Sequence, residues 1–194
     1  MAKLYFRYGA MGASKTANAL MVAYNYKERG QKALVLKPET DTREGQNIIK
    51  SRVGLTQEAH LVSSDENLFD LVQKEQHNGQ KVDCVIVDEA QFLTKRQVEQ
   101  LSDIVDIINT PVIAYGLRAD FRGELFEGSL WLLALADTIE EIKTVCFCSK
   151  KAIMNARISN GKVVKKGEQI KIGGNESYVA LCRKHWKEGK LSFD

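Results

Sequence analysis

Residues 4–20 read LYFRYGAMGASKTANAL, and the fold turns on how this stretch divides. Leu4 to Tyr8 is a short apolar run of strand type. It breaks into glycines and small residues, then from Lys15 into apolar-periodic spacing that predicts a helix over Lys15 to Arg29, closed by Gly30. Between the two, Gly9 to Thr16 spells G-A-M-G-A-S-K-T against the phosphate-loop pattern G-x-x-x-x-G-K-[ST]. In such a loop successive backbone N–H groups wrap phosphates at the positive end of the helix. A lysine in the place of Lys15 neutralises the β/γ oxygens, and the hydroxyl of Thr16 holds Mg²⁺. The candidate phosphate-binding set is therefore Gly9, Ala10, Met11, Gly12, Ala13, Ser14, Lys15 and Thr16. Ser14 replaces the second glycine of the pattern. At positive φ its side chain costs about 1–2 kcal/mol; in an ordinary conformation it costs little and adds a hydroxyl donor. The plain alternative is a glycine-containing turn ahead of a helix, with Lys15 on a solvated face.

A second stretch, VDCVIVDEAQFL at residues 82–93, supports the nucleotide reading. The strand-like run Val82 to Val87 ends in Asp88-Glu89, where a phosphate-loop protein keeps the aspartate that holds Mg²⁺ through its water shell. Glu89 has the chemistry to take a proton from an attacking hydroxyl or water. A polar strand end opening a helix is the alternative for this pair alone. Parallel sheets bind ligands at the carboxyl ends of their strands, and both stretches lie at such ends.

Further strand-type runs at Ala33 to Lys37 and Val112 to Tyr115 alternate with helical spacing at Glu66 to Gln76, followed by Asn78-Gly79, and from a Thr94 cap to about Ile108, stopped by Asn109-Thr110-Pro111. Alternating strands and helices predict an α/β fold with a central parallel sheet. The texture changes after about residue 145 to short β pieces, with Asn160-Gly161 as a hairpin turn. A boundary near Lys143 gives a phosphate-loop α/β domain over 1–143 and a small β-rich module over 144–194.

The 194 residues, 44% hydrophobic, suffice for a substantial core. A charge balance of 28 basic against 25 acidic side chains, net +3, gives no reason to expect a nucleic-acid partner. The opening MAKLYFRYG is too soon interrupted by Arg7 for a signal segment, and no run approaches a membrane span, so a cytoplasmic protein without a membrane partner is expected. In a reducing compartment four cysteines read as thiols or metal ligands. Cys84, inside a strand, reads as a core thiol. Cys146 and Cys148 are i and i+2 of an extended chain, so both sulfurs face one side; Cys182-x-x-His185 has ordinary zinc spacing. Three thiolates and an imidazole form a closed tetrahedral set, hence a structural Zn²⁺, unless these are unconnected cysteines and a surface histidine.

The whole constellation resembles the type II thymidine kinases, the bacterial members most closely. Six ordered blocks carry the resemblance: LYFRYGAMGASKT, DTREG, VDEAQFLTKRQV, PVIAYGLRADFRGELFEGS, KTVCFCSKKA and GEQIKIGGNESYVALCRKHW. It implies a RecA-like domain with a zinc-held β module and transfer of the ATP γ-phosphate to the 5′-hydroxyl of thymidine, for DNA synthesis by salvage. By the same resemblance Gly9 to Thr16 with Asp88, Glu89, Ala90 and Gln91 bind ATP, Thr16 and Asp88 serve Mg²⁺, and Glu89 is the catalytic base. Cys146, Cys148, Cys182 and His185 hold zinc. Met11, Leu117, Phe121 and Phe126 surround the thymine. Ser159 to Tyr178 becomes a lasso over the base, with Gly173, Gly174 and Tyr178 near it. A homotetramer inhibited by thymidine triphosphate (dTTP) is also implied. Two other functions fit the loop and acid pair alone: an ATPase activating water, with the small module docking a partner, and a nucleotide sensor without turnover.

Overall fold

The structure is a computed structural model and describes residues 1–41, 47–77, 79, 81–169 and 177–192. The chain runs β1 (Leu4–Tyr8), α1 (Lys15–Glu28), β2 (Ala33–Pro38), β3 (Ile48–Lys50), β4 (Thr56–Glu58), β5 (His60–Val62), α2 (Leu68–His77) and β6 (Cys84–Val87). A 3₁₀ turn at Ala90–Phe92 leads into α3 (Lys95–Asp103), a π-helical turn at Ile104–Ile108, β7 (Val112–Gly116), α4 (Glu127–Leu135) and β8 (Thr138–Glu141). The remainder is β9 (Thr144–Val145), β10 (Lys151–Ala152), β11 (Met154–Ser159), β12 (Lys162–Val164), β13 (Tyr178–Leu181) and α5 (Arg183–Glu188).

Six strands form the central sheet in the order β5-β2-β6-β7-β1-β8, every pairing parallel. This is the expected α/β fold. Both faces are covered, so β6 reads CVIV, buried throughout. The two-residue period of a strand deals its side chains to opposite faces. Val85 and Val87 join the cluster of Leu4, Phe6, Leu68, Val98, Leu101 and Leu132 on one face. Cys84 and Ile86 join Ala19, Leu20, Ala23, Ile113 and Tyr115 on the other. Cys84 is thus the core thiol expected, and burial pushes it up to about 11.

The strand order sets the site. Between β1, which feeds the Gly9–Thr16 loop, and β6, which ends before Asp88, lies β7. Leu4 pairs with Val112 and Val112 with Val85, which aligns the carboxyl ends of all three.

Thr94 caps α3 as expected, with the reciprocal bonds of a capping box: Gln97 N–H donates to Thr94 Oγ1 (3.3 Å) and Thr94 N–H to Gln97 Oε1 (3.1 Å). The predicted helix does reach Ile108, but its last turn is π-helical and Asn109 leaves it at φ 58°. β6 starts at Cys84, two residues later than the apolar run suggests, because the Asp83 carboxylate is turned to accept the Lys32 N–H. Helix α4, EGSLWLLAL, is apolar nearly all round and so shows no period in the sequence; β8, TIEE, is a polar edge strand. Gly128 lets α4 approach the 3₁₀ turn, since a Cβ there would sit 2.4 Å from the Ala90 carbonyl oxygen and 2.8 Å from that of Leu93.

Beyond β8 the strands are short and antiparallel: β10-β9, and a three-stranded sheet β12-β11-β13. Asn160 (φ 49°) and Gly161 (φ 71°) turn β11 into β12, both in the left-handed region that a two-residue hairpin turn requires. Asn78, Gly173 and Gly174, and all of DTREG except Asp41, lie outside the described residues. Among the described residues no helix is long and apolar enough to cross a membrane.

Candidate active site

Gly9 leaves β1 with its N–H on the Gly116 carbonyl of β7 (3.2 Å), and no larger residue fits: a Cβ would lie 2.5 Å from the Ile142 carbonyl oxygen. The loop closes on itself through Ala13 N–H to the Ala10 carbonyl (3.2 Å), and Met11 N–H donates to Asn155 Oδ1 of β11 (2.8 Å). Gly12 is at φ 77°, and Ser14 at φ 58°, ψ 28°. Of the two conformations open to Ser14, the structure takes the costly one. Its side chain makes no capping hydrogen bond to offset the strain.

Lys15 is buried, and its Nζ donates to the Gly9 and Ala10 carbonyls at 3.0 Å each, which fixes the ammonium inside the loop's curve. One residue on, Thr16 Oγ1 donates to Asp88 Oδ2 at 2.8 Å. Asp88 is 4% exposed, and its Oδ1 is the buried side-chain oxygen that finds no hydrogen-bond partner among the described residues. Burial, then the neighbouring Glu89 carboxylate, pushes the Asp88 carboxyl up to about 7, against the opposing pull of Thr16, the Glu89 N–H and Lys15. An orphaned carboxylate oxygen beside a threonine hydroxyl is the donor set a hard divalent cation takes.

Glu89 sits at φ 52°, a second non-glycine residue in the left-handed region at this site. Its Oε2 accepts a short hydrogen bond (2.5 Å) from Gln91 Nε2, and Gln91 Oε1 accepts the Leu117 N–H (3.0 Å). This approach needs Gly116, where a Cβ would lie 2.9 Å from Gln91 Oε1. One cavity is lined by Met11, Gly12, Ser14, Lys15, Thr16, Asp88 and Glu89 from the two nucleotide stretches and by Leu117 from the expected thymine set; Phe121, Phe126 and Tyr178 do not line it. Ala90 and Gln91 are buried behind its wall rather than in it.

Lys37 and Asp41, to which the sequence reading gave no role, also line the cavity. Lys37 Nζ, 1% exposed, lies 3.5 Å from Asp41 Oδ2 and 3.3 Å from the Ile48 carbonyl. The available signal was a lysine closing the apolar run ALVLKP. Leu36 pairs with Val87, so Lys37, next to last in β2, comes level with Asp88.

The aromatic residues lie in and beside the loop after β7. Phe121 is 1% exposed with an Arg157 guanidinium over its ring, and Arg157 Nε donates to Tyr178 OH (2.8 Å). Phe126, at the start of α4, meets Phe92 edge-on at 5.8 Å. In the small module the ligand atoms of Cys146, Cys148, Cys182 and His185 lie within 4.8 Å of one another and can hold a metal ion. Cys146 Sγ is 3.5 Å from His185 Nδ1, and the Phe147 ring stacks on the imidazole at 4.4 Å. Burial acts to raise the Cys146 thiol, but hydrogen bonds from the Cys148 and Cys182 backbone and from His185 outweigh it and bring it down to about 6.

A family model described as thymidine kinase matches residues 2–186. The chain belongs to the thymidine kinase family. A protein named thymidine kinase from Legionella pneumophila is 54% identical over 191 residues, 98% of this chain and 91% of that one. Proteins of the same name from Mannheimia succiniciproducens (52% over 194 residues; 98% and 99%) and Francisella tularensis (49% over 195 residues; 97% and 98%) are similar along their whole lengths.

In this member of the thymidine kinase family, Ser14 carries backbone strain that a glycine would release. Ser14→Gly recovers about 1–2 kcal/mol of left-handed strain and loses about 0.4–1 kcal/mol to the freer unfolded chain. A modest rise in melting temperature is the expected result of a thermal melt; an unchanged or lower value would show that Ser14 is unstrained.

Proposed function

We propose that the protein is an ATP-dependent thymidine kinase, transferring the γ-phosphoryl group of ATP to the 5′-hydroxyl of thymidine to give thymidine monophosphate and ADP. The observation that carries this reading is the meeting of Thr16 and Asp88 at 2.8 Å, with Asp88 Oδ1 left without a partner among the described residues and Glu89 lining the same cavity.

Phosphoryl transfer asks mainly for alignment and charge neutralisation. The Gly9–Thr16 backbone and the Lys15 ammonium receive the triphosphate at the N-terminus of α1. Thr16 and Asp88 would hold Mg²⁺, which when bound neutralises charge on the phosphate oxygens. Gln91 donates to the Glu89 carboxylate, which accepts the proton of the nucleoside hydroxyl, while Ala90 packs behind the cavity wall. Met11, Leu117, Phe121, Phe126 and Tyr178, with Gly173 and Gly174, form the thymine site. Residues 1–143 act as the ATP-binding domain. Residues 144–194 act as a module held by structural zinc on Cys146, Cys148, Cys182 and His185, with Ser159 to Tyr178 as the lasso. The protein works in the cytoplasm as a homotetramer under feedback by dTTP. Sedimentation tests the tetramer, and the ADP assay below, repeated with added dTTP, tests the feedback by a fall in thymidine-dependent ADP formation.

ADP formation measured with and without thymidine decides the activity. Thymidine-dependent ADP is expected, whereas thymidine-independent hydrolysis would make the protein an ATPase, and ATP binding without either would make it a sensor. Glu89→Gln keeps ATP binding and lowers kcat by about 10²–10⁴-fold; wild-type turnover in that variant removes Glu89 from its role. Elemental analysis should find one zinc per chain, and stripping it with a chelator should lower the melting temperature. A metal-free protein of equal stability would contradict the zinc assignment.

A further inference from the structure

Arg157 lies in the middle of β11, opposite Tyr178 of β13 and Val164 of β12. It is 7% exposed. Burying a guanidinium is costly unless its donors are all engaged. Among the described residues no carboxylate pairs with it, and neutral groups occupy its fork instead. Nε donates to Tyr178 OH (2.8 Å), one terminal nitrogen to the Glu168 carbonyl (2.9 Å) and the other to the Gln169 carbonyl (3.3 Å). The guanidinium carbon lies 3.7 Å from the centroid of the Phe121 ring and 5.3 Å from that of Tyr178. One side chain therefore joins three separate pieces of chain: the loop after β7, the backbone at 168–169 and the start of β13.

The rest of the Phe121 loop is held independently. Trp186 Nε1 donates to the Phe121 carbonyl (3.0 Å), Asp120 Oδ1 accepts the N–H groups of Arg122 and Glu124, and Ser129 Oγ donates to the Leu117 carbonyl. The backbone of that loop does not need Arg157; the plane of the Phe121 ring does. A cation over an aromatic face is attracted to it, and a planar guanidinium can stack on the ring while its edge donates elsewhere. A lysine would supply a point charge but not the fork.

We infer that Arg157 is a positioning residue for the nucleoside, setting the Phe121 ring, the Tyr178 hydroxyl and the 168–169 backbone in one arrangement. This rests on the reading of Phe121 and Tyr178 as thymine contacts. Since the hydrogen bonds and ring contacts of Arg157 among the described residues go to Tyr178, the 168–169 carbonyls and Phe121 rather than to the phosphate loop, its loss acts on thymidine and spares ATP.

Steady-state kinetics of the zinc-loaded full chain, with thermal melts alongside, test this on wild type, Arg157→Lys, Arg157→Met, Tyr178→Phe and the double variant Arg157→Lys/Tyr178→Phe. Arg157→Met and Arg157→Lys should raise the thymidine KM about tenfold, equivalent to about 1.4 kcal/mol, while the ATP KM stays within about twofold. Tyr178→Phe removes one acceptor with little change of shape and should give a smaller rise. The double variant should be no worse than Arg157→Lys, because both changes break the same bond. Unchanged thymidine KM values, parallel rises in both KM values, or effects of Arg157→Lys and Tyr178→Phe that simply add would overturn the assignment. Should Arg157→Met not fold, the lysine and phenylalanine variants decide alone. Wild type without thymidine-dependent ADP formation refutes the kinase reading itself; an active wild type with indifferent variants refutes only the role of Arg157.

Discussion

The hydrogen bond from Thr16 to Asp88 is the constraint on which the rest of the structure depends. Thr16 lies in the first turn of α1, after the loop that leaves β1, and Asp88 follows β6; the two strands are separated by β7 in the sheet, so the bond spans the carboxyl edge above an intervening strand. That strand must not obstruct it. β7 ends in Gly116, whose missing side chain lets Gln91 reach across to Leu117 and to Glu89. Gly9 and Gly128 serve the same edge, one pressed against Ile142 and the other against the 3₁₀ turn that follows Glu89. Two non-glycine residues in the left-handed region, Ser14 and Glu89, flank the paired hydroxyl and carboxylate. Strain of this kind persists only where surrounding structure over-determines it, and here the buried sheet on both faces does so.

The small module is tied to this edge by specific bonds. Asn155 of β11 accepts the Met11 N–H with its oxygen and donates to the Ala119 carbonyl (3.0 Å) with its nitrogen, linking the phosphate loop to the loop after β7. The cysteine–histidine cluster gathers the β9–β10 turn and α5, and the residue after His185 is Trp186, whose indole N–H holds the Phe121 carbonyl. A metal in that cluster would be one residue along the chain from the anchor of the aromatic loop. The five buried residues at the heart of this module, two of them cysteines, make too small a core to fix α5 unaided.

Much of this was legible in the sequence, for physical reasons that differ by element. β1 and α1 were clear because an apolar run leads into the small residues and Lys-Thr of the phosphate-loop pattern, and Gly30 marks where the helix stops. The acid pair was clear because a buried parallel strand is a continuous apolar run and ends abruptly at its first charge. Cys-x-Cys could be grouped with Cys182 and His185 by residue type and spacing, but the extended chain expected at the two cysteines is in fact the turn after β9, closed by the Ser149 N–H on the Cys146 carbonyl (2.9 Å). The conformation of Ser14 could not be read, since sequence does not encode which loop residue takes positive φ once the glycine is gone. Lys37 and Asp41 escaped because a lysine near a strand end ordinarily faces solvent; it is the sheet neighbours on both sides, with Asp41 and the Ile48 carbonyl over its ammonium, that accompany its burial here. Helix α4 escaped because it lacks a polar face to mark its period.

The most direct test of the account is calorimetric titration of the zinc-loaded protein with ATP, in the presence of Mg²⁺ and again with Mg²⁺ chelated, for wild type and for Asp88→Asn. The arrangement of Thr16 and Asp88 predicts ATP binding that Mg²⁺ strengthens in wild type, and a loss of that strengthening when Asp88 can no longer carry charge. ATP binding by the wild type that is indifferent to Mg²⁺, or absent, would contradict it.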